Sequence, residues 1–208
     1  MTKTDILAYA AGSQSPRFVA WLGFILDWEC AYARDGKTII VENVAGDSGG
    51  RTFAGIDEAS HPNFPYDNPT AAAVVTAYLN DAWIPCKCDQ DGGLPFPVGE
   101  VVGNFAVNLG LRTSIKLLQA AIVATAGTTA ADGSTLQETG ILGSDTLLLV
   151  EGLDPDPLAL LIDSEADARY RGITVHIPTD KKFLAGWLAR DQDLDKWWES
   201  LEPIPSGS

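Results

Sequence analysis

Residues 16–57 read PRFVAWLGFILDWECAYARDGKTIIVENVAGDSGGRTFAGID, and this stretch decides the fold. From Arg17 to Cys30 the apolar residues Phe18, Trp21, Leu22, Ile25 and Trp28 recur at helical spacing. Pro16 stands where a first helical turn tolerates proline. Gly36 ends the periodic run. Lys37 to Ala45 is rich in β-branched residues and predicts a strand. Gly46, Ser48, Gly49 and Gly50 then make a turn, and Arg51 to Ile56 predicts a second strand. A small β-hairpin wing therefore follows directly on the first long helix.

On either side the pattern is helical. Residues 1–15 read as a loose or partly helical arm. HPNFPYDNP, residues 61–69, is a Pro/Asn loop, and Asn68 or Thr70 caps a helix from Ala71 to about Trp83. Residues 85–97 are irregular. Val98 to Leu109 and Thr113 to Ala126 predict two helices broken at Gly110, followed by a polar loop, Gly127 to Gly133. Ser144 caps a short helix to Glu151, Pro157 opens one to about Tyr170, and Thr179 caps a last one reaching Trp198. The fold class is mainly α with one small β-hairpin wing. The parts are an arm (1–15), a wing-bearing part (16–97), a helical part (98–200) and a flexible tail (201–208).

The chain has 208 residues, 14 Lys+Arg against 28 Asp+Glu and a net charge of −14. At 46% hydrophobic it fills a core. The acidity excludes sequence-independent nucleic-acid binding, which needs Lys and Arg to neutralise phosphates, and docking on anionic lipid. The uncharged run Phe18 to Leu26 falls well short of the roughly 20 residues a membrane span needs. The first residues, MTKTDILAYAAGSQS, do not read as a signal peptide, so the expectation is synthesis in the cytoplasm and export by another route. Cys30, Cys86 and Cys88 are an odd count without metal-knuckle spacing and read as small thiols; a Cys30–Cys88 disulfide is left open. His61 and His176 are isolated, so no metal and no cofactor is expected.

Glu29 lies four residues after Ile25 and seven after Leu22, so all three share the apolar face of the helix. Burial in low dielectric disfavours a charged carboxyl, and a protonated carboxylic acid is what a glycosidase uses to protonate a leaving oxygen. The alternative is a structural Glu at a helix end. In Gly46 to Thr52 the glycines let backbone approach a ligand, with Asp47 and Thr52 facing it; a plain hairpin turn is the other reading. A phosphate loop is disfavoured because its lysine is missing.

Trp28-Glu29-Cys30-Ala31-Tyr32-Ala33-Arg34-Asp35 resembles the E-G-G-Y-x-x-D segment of the glycoside hydrolase family 108 peptidoglycan muramidases. Asp47-Ser48-Gly49-Gly50-Arg51-Thr52-Phe53-Ala54-Gly55-Ile56-Asp57 is similar to that family's D-x-G-G-x-T-x-x-G-I-T. Asn104 to Gly110 resembles its F-D-x-x-V-N-x-G. Ile115 to Ala121, Asp132-Gly133 and Leu142 to Leu147 resemble the companion predicted peptidoglycan-binding segment, as do Arg169-Tyr170 and Phe183 to Arg190. The matches run in order from about residue 17 to 190. Cys30 and Ala31 stand where the family has glycines, and Asp57 where it has threonine.

The resemblance implies a lysozyme-like α+β fold and cleavage of the β-1,4 bond between N-acetylmuramic acid and N-acetylglucosamine in peptidoglycan glycan strands. It makes Glu29 the general acid, with Asp47 and Thr52 holding the attacking water or steadying the transition state. Asp35 matches the family's Asp and braces the wing or meets substrate. Tyr32, Phe53, His61 and Trp83 are candidates to stack on sugar rings, and Asn108 to bond an N-acetyl group or to hold the Gly110 bend. A phage or prophage lysis enzyme, exported by a holin or secretion system, is the expected setting. Two alternatives are a lytic transglycosylase using the same acid and a non-catalytic wall-binding protein.

Overall fold

Side-chain caps start four of the described helices, at Thr2, Ser15, Thr70 and Asp154, whereas Ser144 and Thr179, expected as caps, lie inside the first turns they were expected to open. In the computed structural model, which describes residues 1–43, 49–126 and 136–201, Thr2 and Asp5 form a reciprocal capping box. Asp5 N donates to Thr2 Oγ1 at 3.2 Å and Thr2 N to Asp5 Oδ2 at 2.7 Å. Residues 3–11 are thus a regular helix, α1 (Lys3–Ala11), the helical one of the two readings of the arm; its Ile6 and Ala10 are buried. Ser15 Oγ accepts from Phe18 N at 3.1 Å and opens α2 (Pro16–Glu29). Phe18, Trp21, Leu22, Ile25 and Leu26 are buried, while Trp28, expected on the same face, is 37% exposed.

The wing is a three-stranded antiparallel sheet, β1 (Val41–Asn43), β2 (Arg51–Phe53) and β3 (Ile56–Asp57), in the order β1-β2-β3. The expected second strand is two. Phe53 pairs with Ile56, and Ala54 (φ +50°) and Gly55 (φ +78°) turn the chain between them. Positive φ at both central residues is the type I′ pattern, whose twist matches that of the strands. The expected first strand is shortened too. Before β1, residues 32 and 39 and residues 2 and 38 make single antiparallel bridges. Thr70 Oγ1 accepts from Ala73 N and caps α3 (Ala71–Tyr78), which runs on into a π-helical turn, Leu79–Trp83. Helix α1 packs on α2 and α3.

Contacts divide the chain into two compact units, Met1–Asn80 and Asp81–Ser208. The second holds α4 (Val98–Leu109), α5 (Leu111–Ala126), α6 (Ser144–Glu151), α7 (Pro155–His176) and α8 (Leu184–Glu199). Gly110 (φ +81°) separates α4 from α5. Helix α7 packs on α4, α5 and α8. It begins two residues before the Pro157 read from the sequence, because Asp154 caps it there, and it runs past Tyr170 to His176. A 3₁₀ turn, Pro178–Phe183, leads into α8. The buried amide of Gln119 fastens the segment before α6: Nε2 donates to Ile141 O at 3.1 Å and Thr146 Oγ1 at 3.2 Å, and Oε1 accepts from Gly140 N at 2.9 Å.

The observed architecture is mainly α with a small antiparallel sheet, the fold class the sequence predicts. All three cysteines are free thiols. Among the described residues no helix is long and apolar enough to cross a membrane. Gly46 and Ser48 of the wing turn, the loop at 127–133 and the tail from 202 lie outside the described residues.

Candidate active site at the end of the second helix

Glu29 is the last residue of α2, half-buried, where Cys30 turns the backbone from helix to extended chain. The tip of the wing rests on it. A Cβ built on Gly55 would lie 2.7 Å from Glu29 Cβ, 2.8 Å from Glu29 Oε2 and 2.8 Å from Tyr78 Oη. Real Cβ atoms do not approach that closely, so the contact requires glycine there as well as the positive φ. The carbonyl of the neighbouring turn residue, Ala54, accepts a 2.7 Å hydrogen bond from Tyr78 Oη. Tyr78 is buried on α3, its ring edge-on to Trp21 at 6.2 Å. Helix end, hairpin tip and tyrosine hydroxyl therefore meet at one point.

Two further contacts hold the wing. Tyr66 Oη donates to Ile56 O at 3.3 Å. Arg51 grips Glu58 through two side-chain hydrogen bonds, Nε to Oε2 at 3.0 Å and NH2 to Oε1 at 2.7 Å, and its NH1 reaches Asp67 at 2.7 Å. The guanidinium lies 5.1 Å from the Tyr66 ring centre. Its hydrogen bonds hold the Glu58 carboxyl below the usual carboxylate range.

The register places Thr52 between two acids. Thr52 pairs with Glu42 on β1 and Asp57 on β3, so these three side chains form one cross-strand row. Phe53, next along β2, points to the other face. It is only 3% exposed and stacks with Phe64 at 6.2 Å. Phe53 thus packs the wing and offers no open ring to a sugar. Trp83 is likewise buried, at 3% exposed. The wing partner Asp47 lies outside the described residues.

Asp35 is a brace. Its Oδ1 accepts from Lys37 N at 2.9 Å and Thr38 N at 2.8 Å, and its Oδ2 from Thr38 Oγ1 at 2.6 Å. These bonds, that from the Thr38 hydroxyl foremost, hold its carboxyl down at about 2. Tyr32 is half-buried and pairs with Ile39. Burial, reinforced by neighbouring Cys30, pushes its phenol up to about 12, and burial pushes the Cys30 thiol up to about 11.

Asn108 belongs to the second unit. Its Nδ2 is buried, as are the Tyr170 hydroxyl it neighbours and both carboxylate oxygens of Asp191, and the Asp191 oxygens have no hydrogen-bond partner among the described residues. In the same region Arg190 Nε donates to Asn104 Oδ1 at 2.9 Å. Burial pushes the carboxyls of Asp163, to about 7, and Asp191, to about 8, upward, with Asp167 and Asp195 adding to it. Sequence reasoning passed over these acids and Tyr78. Asp163 and Asp191 stand in charged, solvent-like stretches, and nothing local to Tyr78 announces a bond to the wing. No group of three or more His, Cys, Asp or Glu among the described residues is arranged to hold a metal ion.

No family model matches the chain, and no curated protein matches its sequence. Among solved structures it is similar to SagA of Brucella abortus. The TM-score is 0.67 at 18% identity, over 91% of this chain and 98% of that one. A likeness at that identity shows a shared fold. The carboxyl seated at the helix end against the hairpin tip is a feature of this chain's own geometry.

Proposed function

We propose that the chain is a peptidoglycan hydrolase, an N-acetylmuramidase that cuts the β-1,4 bond between N-acetylmuramic acid and N-acetylglucosamine, with Glu29 as general acid. The observation that carries this reading is the seat of Glu29. It is the one acid of α2 placed under the wing tip, half-buried and fixed by the Gly55 backbone. A carboxylic acid there protonates the glycosidic oxygen as the bond breaks. Positive charge then develops on the sugar ring. The Thr52 row, with carboxylates of Glu42 and Asp57 to either side, suits a water that attacks the ring and the charge itself. Asp47, five residues before Thr52, is the family-like partner for that water. Asp57 adds a carboxylate where the resembled family has a hydroxyl. The setting we favour is lysis of a bacterial wall by a phage or prophage, with a holin or secretion system delivering the enzyme to the glycan strands.

The test is digestion of purified peptidoglycan by wild type and Glu29→Gln, followed by new reducing ends. Wild type releases them and the variant falls by about 10²–10⁴-fold, the usual contribution of a general acid. An equally active variant, or an inert wild type, sinks the proposal. Masses of the released muropeptides separate hydrolysis from transglycosylation, since anhydro ends lack one water. The polar Thr52 row favours hydrolysis.

A further inference from the structure

We propose that Tyr78 is a positioning residue for Glu29, acting through the hairpin tip; this rests on the reading of Glu29 as the acid. Ala54 adopts a left-handed backbone, φ +50°, which a residue with a Cβ rarely takes. It is also 2% exposed. Such a conformation persists only where its surroundings over-determine it, and strained turns of this kind gather at functional sites. The two-residue hairpin turn sets this conformation, and Tyr78 adds a tertiary constraint to it. Its hydroxyl reaches from α3, 24 residues on in sequence, and takes the Ala54 carbonyl at 2.7 Å. That bond fixes the peptide between Ala54 and Gly55, and Gly55 is the residue whose backbone bears on Glu29 Cβ and Oε2. The same hydroxyl borders the same spot, 2.8 Å from where a Gly55 Cβ would stand. One hydroxyl therefore holds the turn and, with the Glu29 carboxyl, crowds the space beside Gly55. Freed from it, the tip relaxes away from the left-handed conformation and the carboxyl loses its stop. Small misplacement of an acid relative to the leaving oxygen is costly in rate and nearly neutral in binding.

The wing contains its own control. Tyr66 makes a bond of the same type, hydroxyl to the carbonyl of Ile56, on the same hairpin. The experiment compares wild type, Glu29→Gln, Tyr78→Phe and Tyr66→Phe on soluble glycan strands, with kcat, KM and melting temperature for each. Both Phe variants lose similar melting temperature. Tyr78→Phe loses at least about tenfold in kcat at unchanged KM, and Tyr66→Phe keeps wild-type kcat. Equal kcat in the two Phe variants, whether both lowered or both retained, overturns the positioning role while an inactive Glu29→Gln leaves the acid standing. A wild type that produces no reducing ends, or a fully active Glu29→Gln, overturns both.

Discussion

Gly55 leaves no space for a side chain against Glu29: the first carbon of one would sit 2.7 Å from Glu29 Cβ. Gly55 also has φ +78°. Gly55→Ala therefore meets two penalties, a left-handed backbone and a steric collision with a half-buried acid. We expect a loss of roughly 1–3 kcal/mol in stability and a loss of the proposed wall-degrading activity larger than the unfolded fraction explains. Urea unfolding and peptidoglycan digestion, run together, check this. A variant as active and as stable as wild type contradicts the close seating of the tip on Glu29.

Asp35 ties the Ala33-to-Thr38 turn through its carboxylate, so its folded-state ionisation lies below the unfolded one. The stability it contributes is complete above the ordinary value of 3.8 and drains away as pH falls toward about 2. Asp35→Ala should melt at lower temperature than wild type at pH 7, with the gap closing below about pH 4. Melting curves from pH 7 to pH 2 give the result. A gap that persists at pH 2 would assign Asp35 a role independent of its charge.

Asp191 has the opposite sign. Its folded carboxyl is raised to about 8 and that of Asp163 to about 7. In the unfolded chain each ionises near 3.8. Stability from the protonated, buried acids is full below that value and is lost as pH climbs through 7 and 8. Asp191→Asn keeps the shape and removes the titration. Its melting temperature should match wild type near pH 4 and exceed it increasingly toward pH 8. A difference that stays constant across this window would exclude proton uptake at Asp191 as its cause.

The net charge of −14 bears on encounter with the proposed substrate, peptidoglycan. Peptidoglycan is anionic, so the field of the protein repels it over long range. Screening shortens that repulsion to about 8 Å at physiological ionic strength. Digestion rate should rise from low to moderate salt, and a steep fall over the same range would argue for attractive steering by a local basic surface.

The sequence by itself determined the apolar stripe of α2, the cap of α3 and the wing that follows α2. Periodicity at Phe18, Trp21, Leu22 and Ile25, with the cap Thr70, is set by neighbours within one or two helical turns. It put Glu29 on the apolar face near the end of the helix and a glycine-punctuated wing after it; that the helix stops at Glu29 is seen only in the structure. Alternation along β2 left Thr52 and Phe53 on opposite faces but did not say which face was covered, and tertiary packing buried Phe53 under Phe64. Trp28 fits the helical stripe and is yet partly exposed, because the stripe is wider than the surface that covers it. A capping box at Thr2 and Asp5 decided between a loose and a helical arm in favour of α1. The seat of Glu29 was a decision of the tertiary structure alone. It joins the end of α2, the Ala54–Gly55 turn and Tyr78 of α3 through hard-sphere contact and one hydrogen bond spanning 24 residues. Contacts of that range leave no periodic trace in the chain, and they exist only once the helices have packed.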